Sequence, residues 1–174
     1  MTGPEIAIAV ECDLWTSAVP EVEDLCRRVA AITLGSSIEA LGDLAVERCE
    51  ISLVLADDLL VQGLNRQYRG QDKPTNVLSF AALDDDDAPE LEDGPVLLGD
   101  VILAYETTVA EAAVEDKTVA NHLSHLVVHG VLHLLGYDHI EDDEAEEMEG
   151  VERTILAALG IPDPYAAEER DAPK

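Results

Sequence analysis

The chain has 174 residues, enough for one domain with a proper core. Apolar residues make up 47% and aromatics 3%, and no apolar run reaches the length of a bilayer span, which argues against an integral membrane protein. Thirty-eight acids against ten bases leave a net charge of −28; this argues against a non-specific nucleic-acid binder held by long-range attraction, but not against a local basic patch.

Met1 to Val10 carries Glu5 and no basic residue ahead of its short apolar run, so it does not read as a signal peptide. Cys12, Cys26 and Cys49 are odd in number and form no C-x-x-C pair, as expected for reduced thiols packed as small hydrophobes in the cytoplasm.

Glu5 to Val10 reads as a first strand. Val22, Leu25, Val29 and Ile32 form a helical stripe within Glu21 to Leu34, closed at Gly35. Ile38 to Leu44 is a weaker helical connection, and Glu50 to Ala56 a strand. Asp57 is placed to cap a helix whose stripe is Leu60, Leu64 and Tyr68 and which stops at Gly70. Asn76 to Ala81 is a strand entered through Pro74, which disfavours helix in the residue before it. Asp84 to Gly94 holds seven acids and a proline without apolar period and reads as a solvated loop; it lacks the order of a calcium loop.

Val96 to Tyr105 is the fourth strand, and Thr107 to Glu115 a short helix. Lys117 to Leu135 is apolar almost all round, the mark of a helix at the middle of a domain. Asp143 to Leu159 is the last helix, with Met148, Val151, Ile155 and Leu159 inward and an acidic outer face. Ile161 onward, with Pro162, Pro164 and Pro173, reads as a frayed tail. These elements predict an α/β (α+β) fold of about four strands and several helices, one domain over residues 1–160 and a flexible tail over 161–174.

Three of the five histidines fall in His129 to His139. His129 and His133 lie one helical turn apart on one face, with Cβ atoms about 5–6 Å apart. Gly136 lets the chain leave the helix through a positive φ, so that His139 can return as a third nitrogen donor. Three neutral imidazoles leave a fourth zinc position open, the arrangement of a catalytic centre. The spacing equals the H-x-x-x-H-x-x-G-x-x-H part of the metzincin protease motif, but residue 130 is Gly where a protease carries its general-base Glu. The pattern therefore predicts a hydrolytic metal site for a substrate other than a peptide. His122 and His125 lie upstream on nearly the same face as solvent-facing, core-satisfied or rival groups; at most they stand behind the ligands.

His129 to His139, read with Asn65 to Phe80 (NRQYRGQDKPTNVLSF) and Leu98-Gly99-Asp100, resembles the YbeY family of bacterial endoribonucleases over roughly residues 50 to 155. The resemblance implies a zincin-like fold in which a small mixed sheet packs with several helices around a metal-bearing central helix. It also implies a metal-dependent endoribonuclease specific for single strands, acting on ribosomal RNA, notably at the 3′ end of the small-subunit RNA, and in ribosome quality control. His129, His133 and His139 match the family's metal ligands and Arg69 its functionally important arginine. The expected cofactor is one zinc ion per chain, with nickel or another divalent ion as the alternative. The expected partners are single-stranded rRNA, a small-subunit ribosomal protein and an assembly GTPase, with no membrane.

In this reading Arg69 holds charge on the phosphoryl oxygens, against the plain alternative of a helix-end residue offsetting the dipole. Arg66 and Lys73 position flanking phosphates. His125 stands behind the ligands; Asp138 orients a ligand or caps a turn; Tyr137 packs. Asp72 and Asp100 are candidate bases by proximity of their motifs, and the nucleophile is water or a ribose 2′-hydroxyl. Two departures touch the substrate: Ala81 stands where the family pattern has Pro, and the acidic loop lies on the approach to Leu98-Gly99-Asp100. The competing functions are a peptidase-like hydrolase and a non-catalytic zinc-containing assembly factor.

Overall fold

The computed structural model describes residues 4–37, 48–81, 96–137 and 141–164. Its elements are β1 (Glu5–Val10), α1 (Leu14–Ala18), α2 (Val22–Ser36), β2 (Cys49–Ala56), α3 (Asp58–Arg69), β3 (Val77–Ala81), β4 (Val96–Ala104), α4 (Tyr105–Val114), α5 (Val119–Leu134) and α6 (Asp142–Ala158). The connection expected at Ile38 to Leu44 and the acidic loop of Asp84 to Gly94 lie outside the described residues. The short helix α1 carries no amphipathic stripe of its own. Trp15 anchors it by donating Nε1–H to the Ala56 carbonyl at 2.8 Å.

The sheet is mixed, in the order β1-β2-β4-β3. β1, β2 and β4 run parallel, and β3 pairs antiparallel with β4 at the edge. Alternation along the strands divides the apolar residues between two faces. Ile51, Leu53, Leu55, Leu98, Val101 and Leu103 join α2, α5 and α6 in the main core. Leu78, Ile102 and Ala104 pack on the other face with Val61 of α3, and Val54, Leu64 and Phe80 complete that cluster. The stripe expected on α3 was one residue out of phase. Val61 and Asn65 are buried, whereas Leu60 and Tyr68 are exposed, because a single face of α3 meets a sheet that ends at β3.

The helix ends bear out their local signals. The Asp57 side chain accepts from Leu60 N–H at 2.9 Å, and α3 ends at Gly70 with φ +68°. The starts of α3 and α4 also cap each other. Asp58 N–H donates to Glu106 at 2.8 Å, and Thr107 donates to Asp58 from its N–H and its hydroxyl. α2 runs through Gly35 instead of stopping there. The expected tail starts out attached: Ile161 N–H donates to Leu156 C=O at 2.8 Å, and Asp163 pairs with Arg153 at 3.2 Å. Residues 165–174 lie outside the described part.

Gly130 explains how closely α5 approaches the sheet. A Cβ built there would stand 2.6 Å from Val101 Cγ1 and 3.2 Å from Ser79 Oγ. Ser79 Oγ also donates to the Gly130 carbonyl at 3.1 Å, tying β3 to α5. A glutamate has no room at this position. Gly130→Glu is expected to lower stability by more than about 3 kcal/mol, through overpacking against a stiff valine and burial of a carboxyl. Urea unfolding checks this.

Candidate metal centre and cleft

α5 is buried along most of its length and carries His122, His125, His129 and His133. The Thr118 hydroxyl caps its start by accepting from Asn121 N–H at 3.0 Å. A Schellman turn closes it: Gly136 N–H donates to His133 C=O and Tyr137 N–H to Leu132 C=O, both at 3.1 Å. Gly136 has φ +98°, the positive value expected for the residue that turns the chain out of the helix.

His129 and His133 turn toward each other, with their Nε2 atoms 3.0 Å apart. Donors on a tetrahedral zinc, at bonds of about 2.0–2.1 Å, stand about 3.3 Å from one another, so this pair fits two ligands of one ion. Among the described residues no group of three metal-binding side chains forms. His139 and Asp138 lie outside the described residues.

Behind the pair lies a residue that the sequence reading passed over. Glu152 of α6 is 1% exposed; its Oε1 is 3.0 Å from His129 Nδ1 and its Oε2 is 2.6 Å from His125 Nε2. Burial alone would raise the pKa of this carboxyl, but the hydrogen bonds from His125 and His129 outweigh it and hold the pKa at about 2. An ionised carboxylate only accepts, so His129 bears its proton on Nδ1 and turns the Nε2 lone pair toward His133. This is how an outer carboxylate prepares a metal-binding imidazole. His125 thus stands behind His129 through Glu152. His122 is satisfied on one nitrogen only: its Nε2 lies 2.9 Å from Glu111 Oε1, which also accepts from Asn76 Nδ2 at 3.0 Å, while its buried Nδ1 meets no partner among the described residues.

The signal for Glu152 was present in the spacing. Met148, Glu152, Ile155 and Leu156 are the buried residues of α6, and a glutamate on an apolar stripe needs a partner. It was hidden by the acidic residues around it, which do face outward.

In front of the histidines opens a cleft of about 830 Å³. Its lining includes Arg69, Lys73, Asn76, Ser79, His129 and His133. No carboxylate is among the described residues that line it, although the chain as a whole carries −28. Arg69 is fixed by donating Nη2–H to the Ser79 carbonyl at 2.9 Å, with Cζ 5.6 Å from the centre of the Phe80 ring. Lys73 is held by its backbone: buried Asn65 donates Nδ2–H to the Lys73 carbonyl at 2.8 Å. Arg66 is not in the lining; it is exposed and 3.9 Å from Asp72. Asp72, which also accepts from Gln62, and Asp100 are outside the lining too.

Sheet, central helix and facing imidazoles define an α/β protein with a histidine pair opening on a cleft that, among the described residues, carries Arg69 and Lys73 and no carboxylate. Comparison with known proteins places it more narrowly. The family model described as Endoribonuclease YbeY matches residues 20–160. An Endoribonuclease YbeY from Paramagnetospirillum magneticum is 60% identical over 164 residues, covering 94% of this chain and 97% of its own. Another, from Azorhizobium caulinodans, is 54% identical over 93% of this chain and 96% of its own. A solution structure from Thermotoga maritima aligns at 22% identity with a TM-score of 0.48, over 97% of this chain and 99% of that one. The chain belongs to the YbeY family.

Proposed function

We propose that this chain, an endoribonuclease by family, cuts single-stranded ribosomal RNA in the cleft beside His129 and His133, using one zinc ion held by these two residues and His139. The observation that carries the reading is the charge of the cleft. A chain of −28 lines it, among the described residues, with Arg69, Lys73 and two imidazoles and with no carboxylate. A phosphate backbone is the substrate such a lining suits.

A zinc ion supplies Lewis-acid charge and lowers the pKa of water it binds toward about 7. The chain's own residues do the rest. Glu152 keeps the His129 proton on Nδ1 and so keeps Nε2 available. Arg69, braced on Ser79, offers its remaining N–H donors to the phosphoryl oxygens where charge grows in the transition state. Lys73 takes a flanking phosphate, and exposed Arg66 meets the strand farther out.

The biological substrate in this reading is the 3′ end of the small-subunit RNA, during maturation and quality control. A small-subunit ribosomal protein and an assembly GTPase bring the enzyme to it. In this reading the protein works in the cytoplasm, a compartment that keeps thiols such as its free Cys12, Cys26 and Cys49 reduced. A peptidase is disfavoured by Gly130, where the required glutamate does not fit.

Arg69→Ala tests the assignment. Zinc content should stay at the wild-type level while cleavage of a single-stranded RNA falls about 10²–10³-fold, the usual effect of losing one transition-state donor. Unchanged cleavage would remove Arg69 from the chemistry.

A further inference from the structure

We propose that Tyr68 and Phe80 form a stacking platform for an unpaired nucleobase next to the nucleotide held at Arg69. The inference rests on the endoribonuclease reading and adds to it the surface that selects single strands.

The chain has six aromatic side chains, and Tyr165 lies outside the described residues. Of the other five, Trp15 and Tyr105 pack together edge to face at 5.1 Å, with Trp15 fully buried. The other three are Tyr137, Tyr68 and Phe80. Tyr137 is in the lining, while Tyr68 and Phe80 meet at 5.4 Å with their planes at 65°. Phe80 packs from β3 against the apolar cluster under α3, which fixes its ring. Tyr68 is 63% exposed, a large aromatic that folding does not require at the surface.

Arg69 connects this pair to the cleft. It follows Tyr68 in sequence, lines the cleft, and has its Cζ 5.6 Å from the Phe80 ring centre. A strand whose phosphate meets Arg69 therefore brings a neighbouring base to the Tyr68 and Phe80 rings. Aromatic and guanidinium planes are the usual receivers of splayed bases, and they accept any base because each has a π-face. Bases inside a duplex are already stacked and cannot reach such a surface. The overall charge makes the contact more important: at −28 the chain repels RNA at long range, so affinity has to come from short-range contacts that do not depend on net charge.

The probe is a fluorescein-labelled single-stranded oligoribonucleotide, intact or with abasic sugars, read by anisotropy and by the KM and kcat of its cleavage. Tyr68→Ala should weaken binding of the intact RNA about 5- to 100-fold and raise KM, with kcat near wild type; Tyr68→Trp should restore binding. Abasic RNA should bind wild-type and Tyr68→Ala protein alike. Thermal unfolding of Tyr68→Ala should match wild type, since the ring is mostly in solvent. Equal binding of intact RNA by both proteins, or an equal loss for intact and abasic RNA, overturns the platform while the nuclease reading stands. Wild-type protein that neither binds nor cuts the intact RNA overturns both.

Discussion

His133→Ala is expected to leave a folded protein that no longer holds zinc and no longer cuts RNA. His133 sits one residue before the end of α5, only partly buried, so its truncation opens no large cavity in the core. Its Nε2 faces His129 Nε2 at 3.0 Å, and removing it takes away one of two donors that α5 presents together. Loss of an outer partner typically lowers metal affinity 10–100-fold, so loss of a ligand should exceed about 100-fold. Competition with a chromophoric chelator measures the affinity. Circular dichroism checks that the helices remain. A His133→Ala protein with wild-type zinc affinity would mean that the ion, if bound, sits elsewhere.

Glu152 separates stability from metal binding in a way that its two replacements distinguish. Glu152→Ala leaves the His125 and His129 nitrogens without their carboxylate at a site that is 1% exposed. A buried polar group left unsatisfied costs about 1–3 kcal/mol, so two of them should lower stability by about 2–6 kcal/mol. Glu152→Gln keeps the volume but not the charge. Its amide can accept from one imidazole and must donate to the other, so one ring has to change tautomer. If that ring is His129, its proton moves to Nε2 and closes the lone pair aimed toward His133. The expected result for Glu152→Gln is a denaturation midpoint nearer to wild type than that of Glu152→Ala. Its zinc affinity should be 10–100-fold weaker, as is typical for loss of an outer partner. Wild-type zinc affinity in both variants would show that the carboxylate only packs the core.

The parts of the fold written in local pattern were legible before any coordinates. Strand alternation, the caps at Asp57 and Gly70, and the apolar wrap of Lys117 to Leu135 all appear in the structure at or near their expected bounds. So does Gly136, because a helix that must end with a sharp turn needs a positive φ there whatever surrounds it. What escaped depends on contacts between distant segments. The face of α3 that turns inward is set by the edge of the sheet, so Val61 and Asn65 are buried where Leu60 and Tyr68 had been expected. Glu152 looks like its exposed neighbours until α6 is laid against α5 and two imidazoles supply its partners. The absence of the protease glutamate at Gly130 is plain in the sequence, but its cause, the Val101 side chain 2.6 Å from any added Cβ, comes from β4, distant in the chain. Arg66, Arg69 and Lys73 cluster in sequence, yet only Arg69 and Lys73 reach the cleft lining, since Arg66 points to Asp72 on the rim.

Cleavage of a labelled single-stranded RNA by wild-type protein before chelation, after it, and after zinc is restored, with His129→Ala protein beside it, is the most direct trial of the histidine centre. Cleavage should stop on chelation, return with zinc, and be absent from the His129→Ala protein under every condition. Cutting that survives removal of the metal, or that persists at the wild-type rate without His129, would contradict the account.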